Sequence, residues 1–484
     1  MSITDLNRRL GGPMGRHAAA GGPWRNPAPW AFAVATLLWL LTLQRHSLCR
    51  QPSPQESVDA FLRLCYSDVP ILFQTSALAT GGWPYADVAM EQPPLAAALV
   101  ALARWVTGLL GPGLAPGIAA ADLLRSSEIF FLTTAVLLFI CFQVMVACHL
   151  LLGRESASSL AETTRGRRRS WDAMLVAASP AVFTAGLVSW DLLAASLTSA
   201  ALLAWALRRP GLSGVLLGLA IAAGLWPVLV LLALRLLSAR AGQLRAWRRA
   251  AGRAALVWAV CNVPLALAFP DAWATFYTAW ATSGADLGSS WFVLQELGVR
   301  IPAVSLLVAA LMLSWVAWVT NLVRRAPRRP RVGQVAFLLV AGWLLVGKGY
   351  TPQHVVWLVP LVALARPRLG DWAVWSVAEV LYWWAVWAHL GGDSAPGDGG
   401  KDVVYLAAIV LRLLVLLWLV QQVARGVREP WLDPVRGPSV DDPAGGVLDH
   451  SPDVLVAPTI HGNGEAQNGA AQNGAAQDGA GEDR

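Results

Sequence analysis

Ten apolar runs alternate with short clusters of arginine along this chain, and a bundle of membrane-crossing helices is the simplest structure that satisfies both. The runs lie at residues 28–44, 128–152, 172–188, 191–207, 252–269, 302–323, 333–347, 354–366, 371–390 and 403–424. A bilayer core about 30 Å thick takes roughly 20 apolar residues per helix. Only 14% of the 484 residues are charged and 56% are hydrophobic, against about 25% charged in a soluble protein. The net charge of +7 comes almost wholly from arginine, because Lys348 and Lys401 are the only lysines among 37 basic residues. Those arginines sit between apolar runs, a pattern that orients membrane helices, so no nucleic-acid partner is expected. A disordered chain, a disulfide-rich secreted module and an ordinary soluble enzyme are all excluded.

Arginine clusters mark the cytoplasmic side. They fall at Arg8 to Arg25, Arg154 to Arg169, Arg208 and Arg209, Arg240 to Arg249, Arg324 to Arg331, Arg366 and Arg368, and Arg425 and Arg428. Placing all of them inside makes the run 93–110, which contains Arg104, a juxtamembrane helix on the outer face. It also makes the run 213–237 a hairpin of two short helices that turns at Gly224-Leu225-Trp226-Pro227. The predicted fold is then an all-α polytopic membrane bundle of about twelve transmembrane helices. Residues 1–27 form a cytoplasmic arm, 28–424 the membrane domain with an extracytoplasmic loop at 45–127, and 425–484 a disordered cytoplasmic tail. The expected location is the plasma membrane, with both termini cytoplasmic. The first span is no cleaved signal peptide, since no small-residue cleavage site follows Leu43.

This topology collects the unusual polar residues on the outer face. They are Tyr66 and Asp68 in CYSDVP, Asp191 in SWD, and Lys348, Gln353 and His354 in GKGYTPQH. A charge at the end of a membrane helix is costly to bury and is a functional candidate by default. Asp68 and Asp191 fit equally as caps of the helices they precede. Lys348 fits a compact point charge for an anion or a side chain reaching to the headgroups. Cys49 and Cys65 share the outer loop, where a disulfide or two thiols both fit. No CxxC or Cys/His metal spacing occurs, and no metal or cofactor is expected.

Three segments, CYSDVPILFQTSALATGGWPY, SWDLLAASLTSAALLAWALRRPGLSGVLLGLAIAAGLWP and GKGYTPQHVVWLVPL, occur in that order. Together they resemble glycosyltransferase family 87, within the GT-C superfamily of membrane glycosyltransferases. The resemblance covers roughly residues 28–424. It implies a mannosyltransferase that takes its sugar from a polyprenyl-phosphate donor and passes it to a lipid or glycolipid acceptor. It implies that Asp68 is the catalytic base and that Lys348 holds the donor phosphate, with Tyr66, Asp191, Gln353 and His354 at the substrate site. Relatives tend to read AAKLYP at the hairpin tip where this chain reads AAGLWP, so Gly224 stands in the place of a lysine. The position of His354 is usually tyrosine.

The chemistry is consistent with these residues. The phosphate leaving group needs nearby positive charge or donors rather than a general acid, and the acceptor hydroxyl needs one carboxylate to take its proton. Two readings from other classes compete. A transporter or lipid flippase would also use broken helices, but it would carry a second matching half, and none is visible here. A catalytically retired, lipid-binding relative is kept open by the missing lysine at position 224.

Overall fold

The computed structural model describes residues 26–49, 58–153, 170–299, 301–394, 400–436, 442–449 and 451–454. The arginine clusters at 8–25 and 154–169, most of the N-terminal arm and the end of the tail lie outside them. The described residues are helical, with one isolated bridge between Pro84 and Val88. Five helices are long and apolar enough to cross a membrane: α1 (Pro27–Ser47), α4 (Ala120–Leu152), α10 (Leu244–Ala268), α13 (Val304–Arg325) and α17 (Val403–Arg428). Their outward faces are apolar: Leu267, Leu306 and Leu313 are 80%, 73% and 72% exposed. Such a surface suits hydrocarbon rather than water. The protein is a helical membrane protein.

Between these lie α2 (Asp68–Thr75), α3 (Pro94–Leu110), α5 (Met174–Ala177), α6 (Pro180–Ala185), α7 (Asp191–Ala206), α8 (Pro210–Ala223) and α9 (Pro227–Arg240). Further on come α11 (Pro270–Thr282), α12 (Ser290–Glu296), α14 (Val332–Val346), α15 (Val355–Ala365) and α16 (Leu369–Leu390). Proline opens α1, α3, α6, α8, α9 and α11. That position costs no hydrogen bond, because the first amides of a helix have no internal partner. The expected break in 213–237 occurs at Gly224, whose extended backbone ends α8 before Pro227 starts α9. Gly214 and Gly218 of α8 lie against the backbone of Ala250 and Ala254 in α10. This small-residue stripe lets the two helices run side by side in close contact.

Two expectations change. The run 172–188 is not one helix. It is a 3-10 turn at Ser170–Ala173, then α5 and α6, broken where Pro180 cannot donate a backbone hydrogen bond. It is nevertheless buried in the bundle core. Part of the tail is ordered as well. Residues 429–436, 442–449 and 451–454 fold onto the helix ends, where the Trp205 indole donates to Gly445 O at 3.0 Å. Gly446, at φ +58°, presses on Trp205 O where no Cβ would fit. The NGAAQNGAAQDGAGEDR segment lies outside the described residues.

Several of the described arginines gather at one end of the bundle. Arg240 and Arg329 both reach Asp453, Arg331 pairs with Asp433 at 2.7 Å, and Arg366 pairs with Asp371. Arg331 also donates to Leu364 O and Ala365 O, so the ends of α14 and α15 are tied together there.

Candidate active site

The opposite end of the bundle is organised around Asp68. The preceding segment is fixed by a Cys49–Cys65 disulfide, and His46 Nδ1 lies 2.9 Å from Cys65 O. Ser67 then turns the chain. Its hydroxyl donates to Leu187 O at 2.6 Å and accepts from Val69 N, so Ser67 is the cap of α2. Asp68 occupies the first helical position, its amide donating to Val188 O at 2.9 Å. Its carboxylate is therefore free of the capping duty the sequence allowed.

The Asp68 carboxylate accepts from the Tyr66 hydroxyl and lies near Asp191 and Glu91. Burial is the main reason its pKa is pushed up to about 6; Asp191 and Glu91 add to the rise and the Tyr66 bond opposes it. The Tyr66 ring packs in a three-ring cluster with Phe61 and Trp387, at centroid distances of 4.9 and 5.0 Å. Burial, with the Asp68 charge beside it, pushes the Tyr66 phenol well above its usual range, so it stays a donor.

Asp191 is likewise not a cap. It sits in the first turn of α7, where the helix dipole favours its charge. Its oxygens accept from the Ser189 hydroxyl and, at 2.6 Å, from the Trp357 indole. Trp357 stacks on Trp226 of the hairpin tip at 5.8 Å and meets the His354 ring at a tilt, 4.3 Å between centroids. Gly224 lies beside Ala194, one turn beyond Asp191, and an added Cβ there would be in ordinary contact at 3.4 Å. The first loop, the SWD turn, the hairpin tip and the GKGYTPQH motif thus meet in one place. Gln353 is half-buried in the short 3-10 turn Pro352–His354 that brings His354 in.

Lys348 is placed differently. It is 4% exposed, and its ammonium donates to Ser283 O at 2.9 Å, Ser305 Oγ at 3.2 Å and Ala281 O at 3.3 Å. The backbone on either side is stitched to the loop before α12, with Asp286 N donating to Lys348 O and Tyr350 N to Leu287 O. Gly288, at φ +72°, passes between Tyr350 O and the Tyr382 hydroxyl, leaving no room for a side chain. The lysine fastens the GKGY segment to the chain around Ala281, Ser283 and Ser305, and its three donors are already used.

Several residues that build the site carried no sequence assignment. Trp357 and Ser189 hold Asp191, and Trp226 backs Trp357. Behind them Arg412 pairs with Glu379 at 2.7 Å, Tyr350 donates to Glu379 at 2.7 Å, and the guanidinium also donates to Tyr350 O. Arg412 lies over the rings of Tyr350 and Tyr382 at 3.3 and 3.9 Å. This buried pair joins α16 and α17 to the GKGY motif. One signal was available for it: Glu379 and Arg412 are isolated charges inside apolar runs, where an unpaired charge is costly.

Among the described residues, no three His, Cys, Asp or Glu side chains gather in a way that would hold a metal ion. No protein-family model matches the chain, and comparison with curated proteins finds no match either.

Proposed function

We propose that the chain is a membrane glycosyltransferase, most simply a mannosyltransferase. In this reading it moves a sugar from a polyprenyl-phosphate donor to a lipid or glycolipid acceptor on the extracytoplasmic face. Twelve crossings with both termini cytoplasmic would put the Asp68 end of the bundle outside and the arginine end inside. The observation that carries the reading is Asp68: a half-buried carboxylate with a tyrosine donor, no cationic partner among the described residues, and a pKa of about 6. A base poised just below neutrality is largely ionised at pH 7 and still basic enough to accept a proton.

The step is a single inverting displacement. The acceptor hydroxyl oxygen forms a bond to the anomeric carbon while the bond from that carbon to the phosphate oxygen breaks. The hydroxyl proton goes to Asp68, and polyprenyl phosphate leaves with the bonding electron pair. Tyr66 orients the carboxylate. Asp191 holds Trp357, whose ring, with His354 and Trp226, offers a flat wall to a sugar or isoprenoid. Gln353 borders the same region. Lys348 reaches the donor phosphate by exchanging one of its three oxygen partners for a phosphate oxygen.

The test uses membranes carrying the full chain, supplied with radiolabelled polyprenyl-phosphate mannose and a lipid extract. Wild type should give a labelled glycolipid, and Asp68→Asn should lower its rate by about 10²–10⁴-fold at unchanged protein level. Equal labelling by both proteins would remove Asp68 from the chemistry. Absence of labelling with any lipid-linked sugar would favour the transporter reading or the retired, lipid-binding reading, to the second of which the glycine at position 224 also points.

A further inference from the structure

At the arginine end, away from Asp68, a cavity of about 310 Å³ opens between α13 and α17. It is lined by Trp318, Asn321 and Arg325 of α13 and by Arg428 of α17, with Leu322, Ala326 and Pro327 closing it. That volume is at the lower end of the range of small-ligand pockets, about 300–1,000 Å³. Its two guanidinium groups contrast with their neighbours. Arg240, Arg329, Arg331, Arg366 and Arg436 are each tied to an aspartate. Arg325 and Arg428 are exposed, and among the described residues no acidic one lines the cavity they share.

We infer that this cavity is a binding site for the phosphate group of an anionic lipid. Two guanidiniums and an amide supply forked donors suited to phosphate oxygens. Trp318, which leans on Trp315 at 5.1 Å, supplies an indole at the level where polar and apolar regions meet. The helix faces below favour a lipid over a soluble anion. By the helical period, Leu307 and Leu311 lie on the face of α13 that carries Arg325, and Leu414 and Leu417 lie on the face of α17 that carries Arg428. All four are exposed, at 37–58%. A headgroup in the cavity would therefore leave its acyl chains against an apolar wall. Basic pockets between membrane helices on the cytoplasmic side bind anionic headgroups by this combination.

The test measures lipid retained by the purified full chain, by native mass spectrometry, after exposure to mixed micelles of phosphatidylglycerol or phosphatidylcholine. Wild type should retain phosphatidylglycerol, Arg325→Ala/Arg428→Ala should retain roughly tenfold less or lower still, and neither should enrich phosphatidylcholine. Arg325→Gln/Arg428→Gln serves the same purpose if the alanine pair does not fold. Removing two exposed arginines elsewhere, Arg248→Ala/Arg249→Ala, should leave retention intact. Equal phosphatidylglycerol retention by wild type and the cavity variant would overturn the site. So would an equal loss in the Arg248/Arg249 control, which would mean diffuse attraction. Displacement of the lipid by excess inorganic phosphate alone would reassign the cavity to a soluble anion and overturn the lipid proposal.

Discussion

Asp433, at one end of the bundle, lies between two guanidinium groups, Arg331 at 2.7 Å and Arg436 at 3.6 Å. Asp68, at the other end, has a tyrosine for a partner and two more carboxylates nearby. The arginines hold the first below its ordinary value, overcoming its burial. Burial pushes the second up to about 6. The same side chain in the same chain is thus stabilised as an anion in one place and strained as one in the other. Pairing every charge suits a structural joint, since an unpaired buried charge is costly. Leaving a carboxylate under-compensated suits a group that must later take a proton.

The comparison breaks most visibly at the structural end. Asp433→Ala would leave Arg331 buried without its counter-ion while it still clamps the ends of α14 and α15. A loss of about 3–5 kcal/mol is expected, read as a large fall in the thermal midpoint of the detergent-solubilised protein. Any labelled product from the fraction that remains folded should form at the wild-type rate. A midpoint unchanged from wild type would mean that the pair does not hold the helix ends.

Lys348→Ala should have the next largest effect. It removes the donor to Ala281 O and Ser283 O and leaves those carbonyls to find other partners, at a cost of about 1–3 kcal/mol. If the lysine mainly fastens loops, the midpoint falls and the donor KM follows only modestly. A raised donor KM with an unchanged midpoint would instead make Lys348 a phosphate ligand first.

Lys348 also shows where sequence reading stops. A lone lysine in an arginine-rich chain does mark a special requirement, and the structure answers it with backbone carbonyls, which no pattern in one sequence can place. The helical class, the break at Gly224 and the meeting of Asp68, Asp191 and His354 were legible, because apolar runs and charge clusters are local signals with a topological consequence. The indole bond from Trp357 to Asp191 was not, since it joins residues 166 positions apart. Ser67 rather than Asp68 caps α2 because the serine hydroxyl also reaches Leu187 O, a contact set by packing. The ordered part of the tail was missed for a related reason. Its composition is polar, and its partners are arginines and a tryptophan that only the folded bundle brings to one end.

The smallest effect is the most discriminating, because its sign separates the two aspartates. Asp68 has a folded-state pKa raised from 3.8 to about 6. Between those values the folded protein holds a proton that the unfolded chain has lost, so stability falls as pH rises through the window. Above about pH 6 the penalty is complete. Asp68→Asn carries no charge and escapes it, so at pH 7.5 the variant should be more stable than wild type. The expected gain is about 1–2 kcal/mol, allowing for the partial contact of Asp68 with solvent. The gain should shrink as pH falls towards 4, where wild type is protonated too. Asp433 must do the reverse: its lowered pKa stabilises the fold above the ordinary aspartate range, and that contribution is lost on acidification. Transfer by wild type should follow the same Asp68 titration, losing about tenfold per unit below pH 6. Thermal midpoints of wild type and Asp68→Asn measured from about pH 4 to about pH 7.5, a range that brackets the titration, would decide it. Curves that stay parallel would mean that Asp68 is not the strained carboxylate, whatever the fate of the sugar.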